Sequence, residues 1–370
     1  MRRAFIPLII PVAVLSLPTP PGGGAPCISR SGGPVPPAYR QAVAHARALV
    51  CDRLMAHVPG VQVAIGVKGT IVWSQGFGYA DLARKVPVSS ETQFRVGSVS
   101  KALTAAAVAQ VYERGLLDLD APVQAYVPSF PEKGYPITTR QLAGHLAGIR
   151  HLRGEEALSN RPFATVADEL TIFERDSLLF PPGTRFSYSS YGWTLISAVI
   201  EGATGEEFLG YMSRNVFRPL GMTHTAPDRV DSAIPNRSAF YDADSARGFA
   251  VSPAVDNSAR WAAGGFVTNA EDLVRFGSAL LQPGFLKAET LDLMFRRQRT
   301  TSGEATPCGI AWFITTDSLG HRWVFHGGSA VGGSAVFGLD RDSGLVIAIL
   351  SNLTDAPLEP ARAIKGLFDR

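Results

Sequence analysis

Ser98 and Lys101 stand three residues apart in the stretch "FRVGSVSKALTAAAVAQ", residues 94–110. The chain has only six lysines, and one of them falls in the first turn of an alanine-rich helix pattern. Residues three apart on a helix share a face, so the hydroxyl and the amine can meet if the helix begins at Ser98. A serine hydroxyl needs a neighbouring base before it attacks a carbonyl. A helix N-terminus contributes partial positive charge there. An amine stripped of water holds its proton weakly and can take one from the serine. The serine's own backbone N–H can face a developing oxyanion. The same four residues also fit a plain helix start, with Ser98 as cap and Lys101 reaching solvent. The spacing alone does not decide between the two.

Two other stretches carry suitable groups. Tyr188-Ser189-Ser190 follows the turn "FPPGTRFS" and opens a helical pattern. A phenol there can project into a cleft and pass protons to or from an ammonium. It also fits a half-buried core tyrosine. His326-Gly327-Gly328-Ser329 lies on a β-like run late in the chain. Two glycines weaken a strand, and they make sense where another backbone must approach closely. The Ser329 N–H is then a candidate second oxyanion donor; a bulge or tight turn is the alternative. No CxxC or HExxH occurs, so the sequence indicates no metal. The pairs His145/His151 and His321/His326 have no strong ligand spacing and read as mainly structural or surface histidines.

These groups need a frame. Residues 39–58 have apolar positions at helical spacing, and "VQVAIGVKGTIVWSQGFGYAD" reads as a hairpin turning at Lys68-Gly69-Thr70. A helix is expected from Ser98 to about Arg114, ended by Gly115. Further helices are expected over 189–201, around 206–217, over 268–281 with a capped acidic start, and over 358–369. Residues 155–180 read as partly helical. The C-terminal third holds four β-like runs, "CGIAWFITT", "HRWVFHGG", "SAVFGLD" and "LVIAIL". The last is apolar throughout, as a strand covered on both faces should be. Strands at both ends and a helical middle predict an α/β (α+β) architecture. One antiparallel sheet would join the N-terminal hairpin to the C-terminal strands, flanked by helices.

The bulk numbers suit a large-cored globular chain of 370 residues, 46% hydrophobic and 18% charged, with net charge +3. The positive excess is small and scattered, so no nucleic-acid partner is expected. The start, "MRRAFIPLIIPVAVLSLPTPPGGGAPC", has a basic end, a short apolar run and a Pro/Gly tail. It reads as a secretory signal, giving an exported, periplasmic or extracellular protein. An uncleaved leader anchoring the protein to a membrane is the alternative. Residues 1–37 are assigned to this leader and linker, outside the fold, and 38–370 to one folded domain. Cys27, Cys51 and Cys308 give no framework spacing. Cys51 and Cys308 are expected to be unpaired and buried, with pairing in an oxidising compartment left open.

Taken together and in this order, SxxK at 98–101, YxS at 188–190 and HxG at 326–328 resemble the marks of the serine β-lactamase and penicillin-binding protein superfamily. The resemblance extends over about residues 60–352 and includes "GLLDLDAPVQAYVPSFPEKGYPITTRQLAGHLAGIRH", "PPGTRFSYSSYGWTLISAVIEGATG", "VFRPLGM" and "HGGSAVGGSAVFGLD". Within the superfamily it points to the branch of the mitochondrial serine β-lactamase-like protein and its bacterial relatives. It implies a β-lactamase/transpeptidase-like fold and an acyl-enzyme on Ser98. Lys101 would be the proton partner and Tyr188 the shuttle. The Ser98 and Ser329 N–H groups would form the oxyanion hole, and Ser190, His326, Gly327, Gly328 and Ser329 would line the substrate cleft. It implies no metal or organic cofactor, a peptide or small-molecule substrate, and possible self-association. His326 stands where many β-lactamases have lysine, and Ser190 where class C enzymes usually have asparagine. Both departures favour a peptidase or esterase over a β-lactamase or D,D-peptidase. A non-catalytic penicillin-recognising or filament-forming scaffold is the reading from a different class.

Overall fold

The computed structural model describes residues 27–246, 248–316, 320 and 322–368. Most of the leader lies outside the described residues. The central sheet is built from β1 (Ser29–Ser31), β2 (Gly60–Val67), β3 (Thr70–Asp81), β4 (Phe313–Thr316), β5 (Arg322–Ala330), β6 (Gly333–Asp340) and β7 (Leu345–Ser351). Their order is β1-β3-β2-β7-β6-β5-β4, with the short pair Val86–Pro87 beside β3. All these pairings are antiparallel. The expected junction of the two chain ends is the β2–β7 ladder, which runs from Leu345 opposite Val67 to Ser351 opposite Val61. The hairpin turns where expected. Lys68 and Gly69 both have positive φ, 49° and 82°, as a two-residue turn matching strand twist requires.

Strand β7 shows why an unbroken apolar run belongs at the sheet centre. Successive side chains point to opposite faces. Leu345, Ile347 and Ile349 enter a cluster with Val43, Ala46 and Val50 of α1 (Arg40–Arg53) and Ile364 of the C-terminal helix Pro360–Phe368. Val346, Ala348 and Leu350 enter the larger cluster on the other face. That cluster contains α2 (Val99–Glu113), α3 (Ser190–Thr204), α4 (Trp261–Gly264) and α5 (Ala270–Leu281). Helix α2 is buried from Val99 to Ala109. Its alanines are what allow neighbours to pack on every side of it.

Three expectations change. The sheet edge begins ahead of the boundary set at residue 37, because Ser29–Ser31 pairs with Phe77, Gly76 and Gln75. Cys51 is neither free nor bonded to Cys308; it forms a disulfide with Cys27, and Cys308 is a buried free thiol. That bond fastens the chain just before β1 to α1, and sequence spacing gave no sign of it. The middle region is less regular than its pattern implied. Residues 155–180 are partly helical as expected, with the 3-10 stretch Gly154–Leu158 and the short α-helix Val166–Leu170, but 206–217 splits into Phe208–Tyr211 and a π-helical stretch, Met212–Phe217. No helix among the described residues is long and apolar enough to cross a membrane.

Because Ile347 is 1% exposed at the sheet centre, Ile347→Ala should lower stability by about 2–5 kcal/mol in urea denaturation. An unchanged midpoint and slope would contradict this packing.

Candidate active site

Ser98 is the N-cap of α2, and its side chain makes no capping hydrogen bond. The hydroxyl is therefore not used up by the helix end. Lys101 is 0% exposed, so it does not reach solvent. Both parts of the plain helix-start reading fail. The amine turns inward, with Nζ 3.0 Å from Ser98 Oγ, 3.2 Å from Ser190 Oγ and 2.6 Å from the carbonyl oxygen of Ala263 in α4. No carboxylate forms an ion pair with it among the described residues. Burial, reinforced by the positive charge of Arg260, holds its pKa well below the ordinary lysine value of 10.5. This shifts the balance toward the uncharged amine, because an unpaired buried ammonium is costly.

Tyr188 completes the convergence. Its ring centroid lies 5.0 Å from Lys101 Nζ, and its phenol is close enough to Ser98 for that hydroxyl to act on its pKa. Burial pushes its pKa up from 10.0, so it stays protonated over the physiological range. The ring is set by two histidines that motif spacing left aside. The His145 ring lies 4.3 Å away, and the His151 ring meets it edge-on at 5.4 Å. The same histidines accept from the backbone on either side of the helix start: Ser189 N–H donates to His145 Nδ1 and Ser190 N–H to His151 Nδ1, both at 3.1 Å. Ser189 caps α3, with Oγ accepting from Gly192 N–H at 2.9 Å and donating to the Arg150 carbonyl at 2.8 Å. Tyr188 is thus pinned by the turn around it. The signal was present in "GHLAGIRH", but the contacts close only when residues about 40 apart fold together.

The β5 strand forms the other wall. A Cβ on Gly328 would stand 1.9 Å from the Val96 carbonyl oxygen. One on Gly97 would stand 2.4 Å from the Ser329 carbonyl oxygen. The glycines therefore answer a close backbone approach that brings residue 329 beside the start of α2. Arg95 fixes this approach. Its Nη1 donates to the Val331 carbonyl at 2.8 Å, while its Nε pairs with buried Asp228 at 2.6 Å. Ser329 Oγ donates to Asp355 at 2.7 Å. His326 is 2% exposed, and burial lowers its pKa to about 3, so it is a neutral ring.

Ser98, Tyr188, Ser190, His326, Gly327, Gly328 and Ser329 line one cleft of about 970 Å³, with Lys101 buried beneath it. All eight residues singled out in the sequence meet here. His151, Asn257, Arg260 and Phe313 also line it, and sequence reading named none of these four as part of the site. No group of three or more potential metal ligands occurs among the described residues.

An antiparallel sheet covered by helices on both faces, with a serine and a buried lysine at a helix start beneath a cleft, defines a β-lactamase/transpeptidase-like protein. The chain belongs to that family of serine hydrolases: the family model described as Beta-lactamase matches residues 46–367. It is 30% identical to the Homo sapiens mitochondrial serine beta-lactamase-like protein LACTB, over 88% of this chain and 80% of that protein. It resembles the structure of an octameric penicillin-binding protein homologue from Pyrococcus abyssi, with TM-score 0.74 and 25% identity, covering 87% of this chain and 75% of that one. A D-amino acid amidase from Ochrobactrum anthropi, solved with D-phenylalanine, shares the fold with TM-score 0.77 at 21% identity, covering 89% and 98%.

Gly328→Ala should force the Val96 loop apart and cost about 1–3 kcal/mol of stability. Gly327→Ala meets nothing nearer than the Ala335 carbonyl oxygen at 4.0 Å and should unfold close to the wild-type midpoint. Equal urea midpoints for the two variants would contradict the close approach.

Proposed function

We propose that the protein is a serine hydrolase that forms an acyl-enzyme on Ser98 and acts on a peptide or an ester. The observation that carries this reading is the buried contact of Lys101 with Ser98. A neutral amine has two N–H donors and one lone pair. The Ala263 carbonyl can only accept, so it takes one N–H, and Ser190 Oγ can accept the second. The lone pair is left for the proton of Ser98. Lys101 is the base of the pair, because burial lowers its pKa while raising that of Tyr188.

Ser98 Oγ attacks the carbonyl carbon as its proton passes to Lys101. The Ser98 and Ser329 N–H groups stabilise the oxyanion. The proton then reaches the leaving nitrogen or oxygen through Tyr188, whose phenol gives one proton and takes another. Water enters, loses its proton along the same path, and cleaves the acyl-enzyme. Ser190 steadies the amine between the two steps. An extended peptide can lie along residues 326–330, where β4 no longer pairs with β5.

A β-lactamase is the second reading within the same chemistry. Neutral His326 weighs against it, since position 326 then offers no cation where many β-lactamases have lysine. The serine and lysine contact weighs against an idle scaffold, which has no use for a buried amine. The Cys27–Cys51 disulfide supports an oxidising, exported location.

A fluorophosphonate should add one adduct to the wild type, mapped by mass spectrometry to Ser98, and none to Ser98→Ala. An adduct elsewhere, or none on a folded wild type, would overturn the assignment. The pH dependence has a definite sign. The active amine is neutral, so kcat/KM should rise with pH through a single ionisation well below 10.5 and fall as acid protonates Lys101. Lys101→Met should cut the rate by about 100-fold or more and flatten this limb. A flat wild-type profile from pH 5 to 9, or a Lys101→Met enzyme of wild-type rate, would remove Lys101 as the base.

A further inference from the structure

Arg260 stands out among the charged residues of the cleft. It ends the turn Ser258–Arg260 just before α4, the helix whose Ala263 carbonyl holds Lys101. Its Nη2 donates to the Ala157 carbonyl at 3.0 Å, while Nε is buried without any partner. No carboxylate lies within ion-pair distance among the described residues. The acids around it are committed elsewhere. Asp228 takes Arg95, Arg237 and Asn257. Glu156 takes Arg150 through both oxygens. Asp256 accepts from the backbone and hydroxyl of Ser258.

A guanidinium with a dry, unused donor and no counter-charge is an unfavourable arrangement in a free protein. It becomes favourable when a ligand supplies the anion. The cleft is where that anion can come from, because Arg260 lines it together with Ser98 and Tyr188. Among the described lining residues Arg260 is the only lysine or arginine. The one lining carboxylate, Asp355, is tied to the Ser329 hydroxyl. His326 brings no charge.

We propose that Arg260 is a specificity-determining residue that binds a carboxylate of the substrate, so that the preferred peptides or esters are anionic. This rests on the serine-hydrolase reading above. A guanidinium suits the task because it stays charged at every working pH and, beyond the N–H given to Ala157, keeps further N–H donors for a carboxylate.

Two matched pairs of esters test it. Mono-4-nitrophenyl adipate and its methyl ester differ by a carboxylate on the acyl side. 4-Acetoxybenzoate and its methyl ester differ by one on the leaving side. Each pair is compared at one pH above the Lys101 transition, so the effect of Arg260 on Lys101 cancels in the ratio. In at least one pair the anionic member should have the higher kcat/KM, by about tenfold or more. Arg260→Gln should bring that ratio near one, and Arg260→Lys should restore much of it. Added salt should shrink the wild-type preference. A wild-type ratio near one in both pairs overturns the proposal without any variant. A preference that survives in Arg260→Gln, shown to be folded by fluorophosphonate labelling of Ser98, also overturns it. Ser98→Ala hydrolysing all four esters at the wild-type rate would instead sink the underlying reading. Serine-dependent turnover with no anionic preference sinks only the role of Arg260.

Discussion

The site depends on one costly placement, an amine buried at the start of an alanine-rich helix with no acid to pair with it. Water holds a lysine charged; burial here lowers the pKa of the amine. Arg260 adds positive charge nearby, which pushes the same way. The fold surrounds Nζ with one carbonyl and two hydroxyls, which satisfy its hydrogen bonds but supply no negative charge to offset an ammonium. In the proposed mechanism this amine, once neutral, turns its lone pair to the serine. Tyr188, whose pKa is displaced in the opposite direction, keeps its proton beside it. Two groups driven apart in this way can divide the work of taking and giving a proton.

Everything else positions these groups. The apolar strand β7 joins the chain ends into one sheet, and α2 packs against strands β5 and β6 of that sheet. Alanines let α2 sit deep, and Gly97 and Gly328 let the backbones of the helix start and β5 come close together. Arg95, reaching from Asp228 to the Val331 carbonyl, ties those segments together. His145 and His151 hold the Tyr188 turn through the backbone N–H groups of Ser189 and Ser190. The catalytic geometry is therefore set by backbone contacts more than by side-chain networks.

Much of this could be read from local pattern. The hairpin at 68–69, the helix ended by Gly115 and the run "LVIAIL" each follow from a period or a turn residue. Ser98, Lys101 and Tyr188 were found because their motifs are short and keep their order. What escaped depends on distant partners. Arg260 looks like any polar residue before a helix until the acids near it are seen to be taken. His145 and His151 have no ligand spacing because their partners are backbone groups 39 to 44 residues away. Cys27 lies beside a Pro/Gly tail, and nothing local marks Cys51 as its mate. The π-helical stretch Met212–Phe217 has the composition of an ordinary helix.

The charge state of Lys101 is the claim that can be reached most directly. With six lysines in the chain, labelling them with carbon-13 at Cε gives a spectrum simple enough to assign with Lys101→Met. The account predicts that the signal missing from this variant titrates, in the wild type, far below 10.5. A Lys101 signal that titrates at or above 10.5 would mean a charged amine, and the proton acceptor for Ser98 would have to be sought elsewhere.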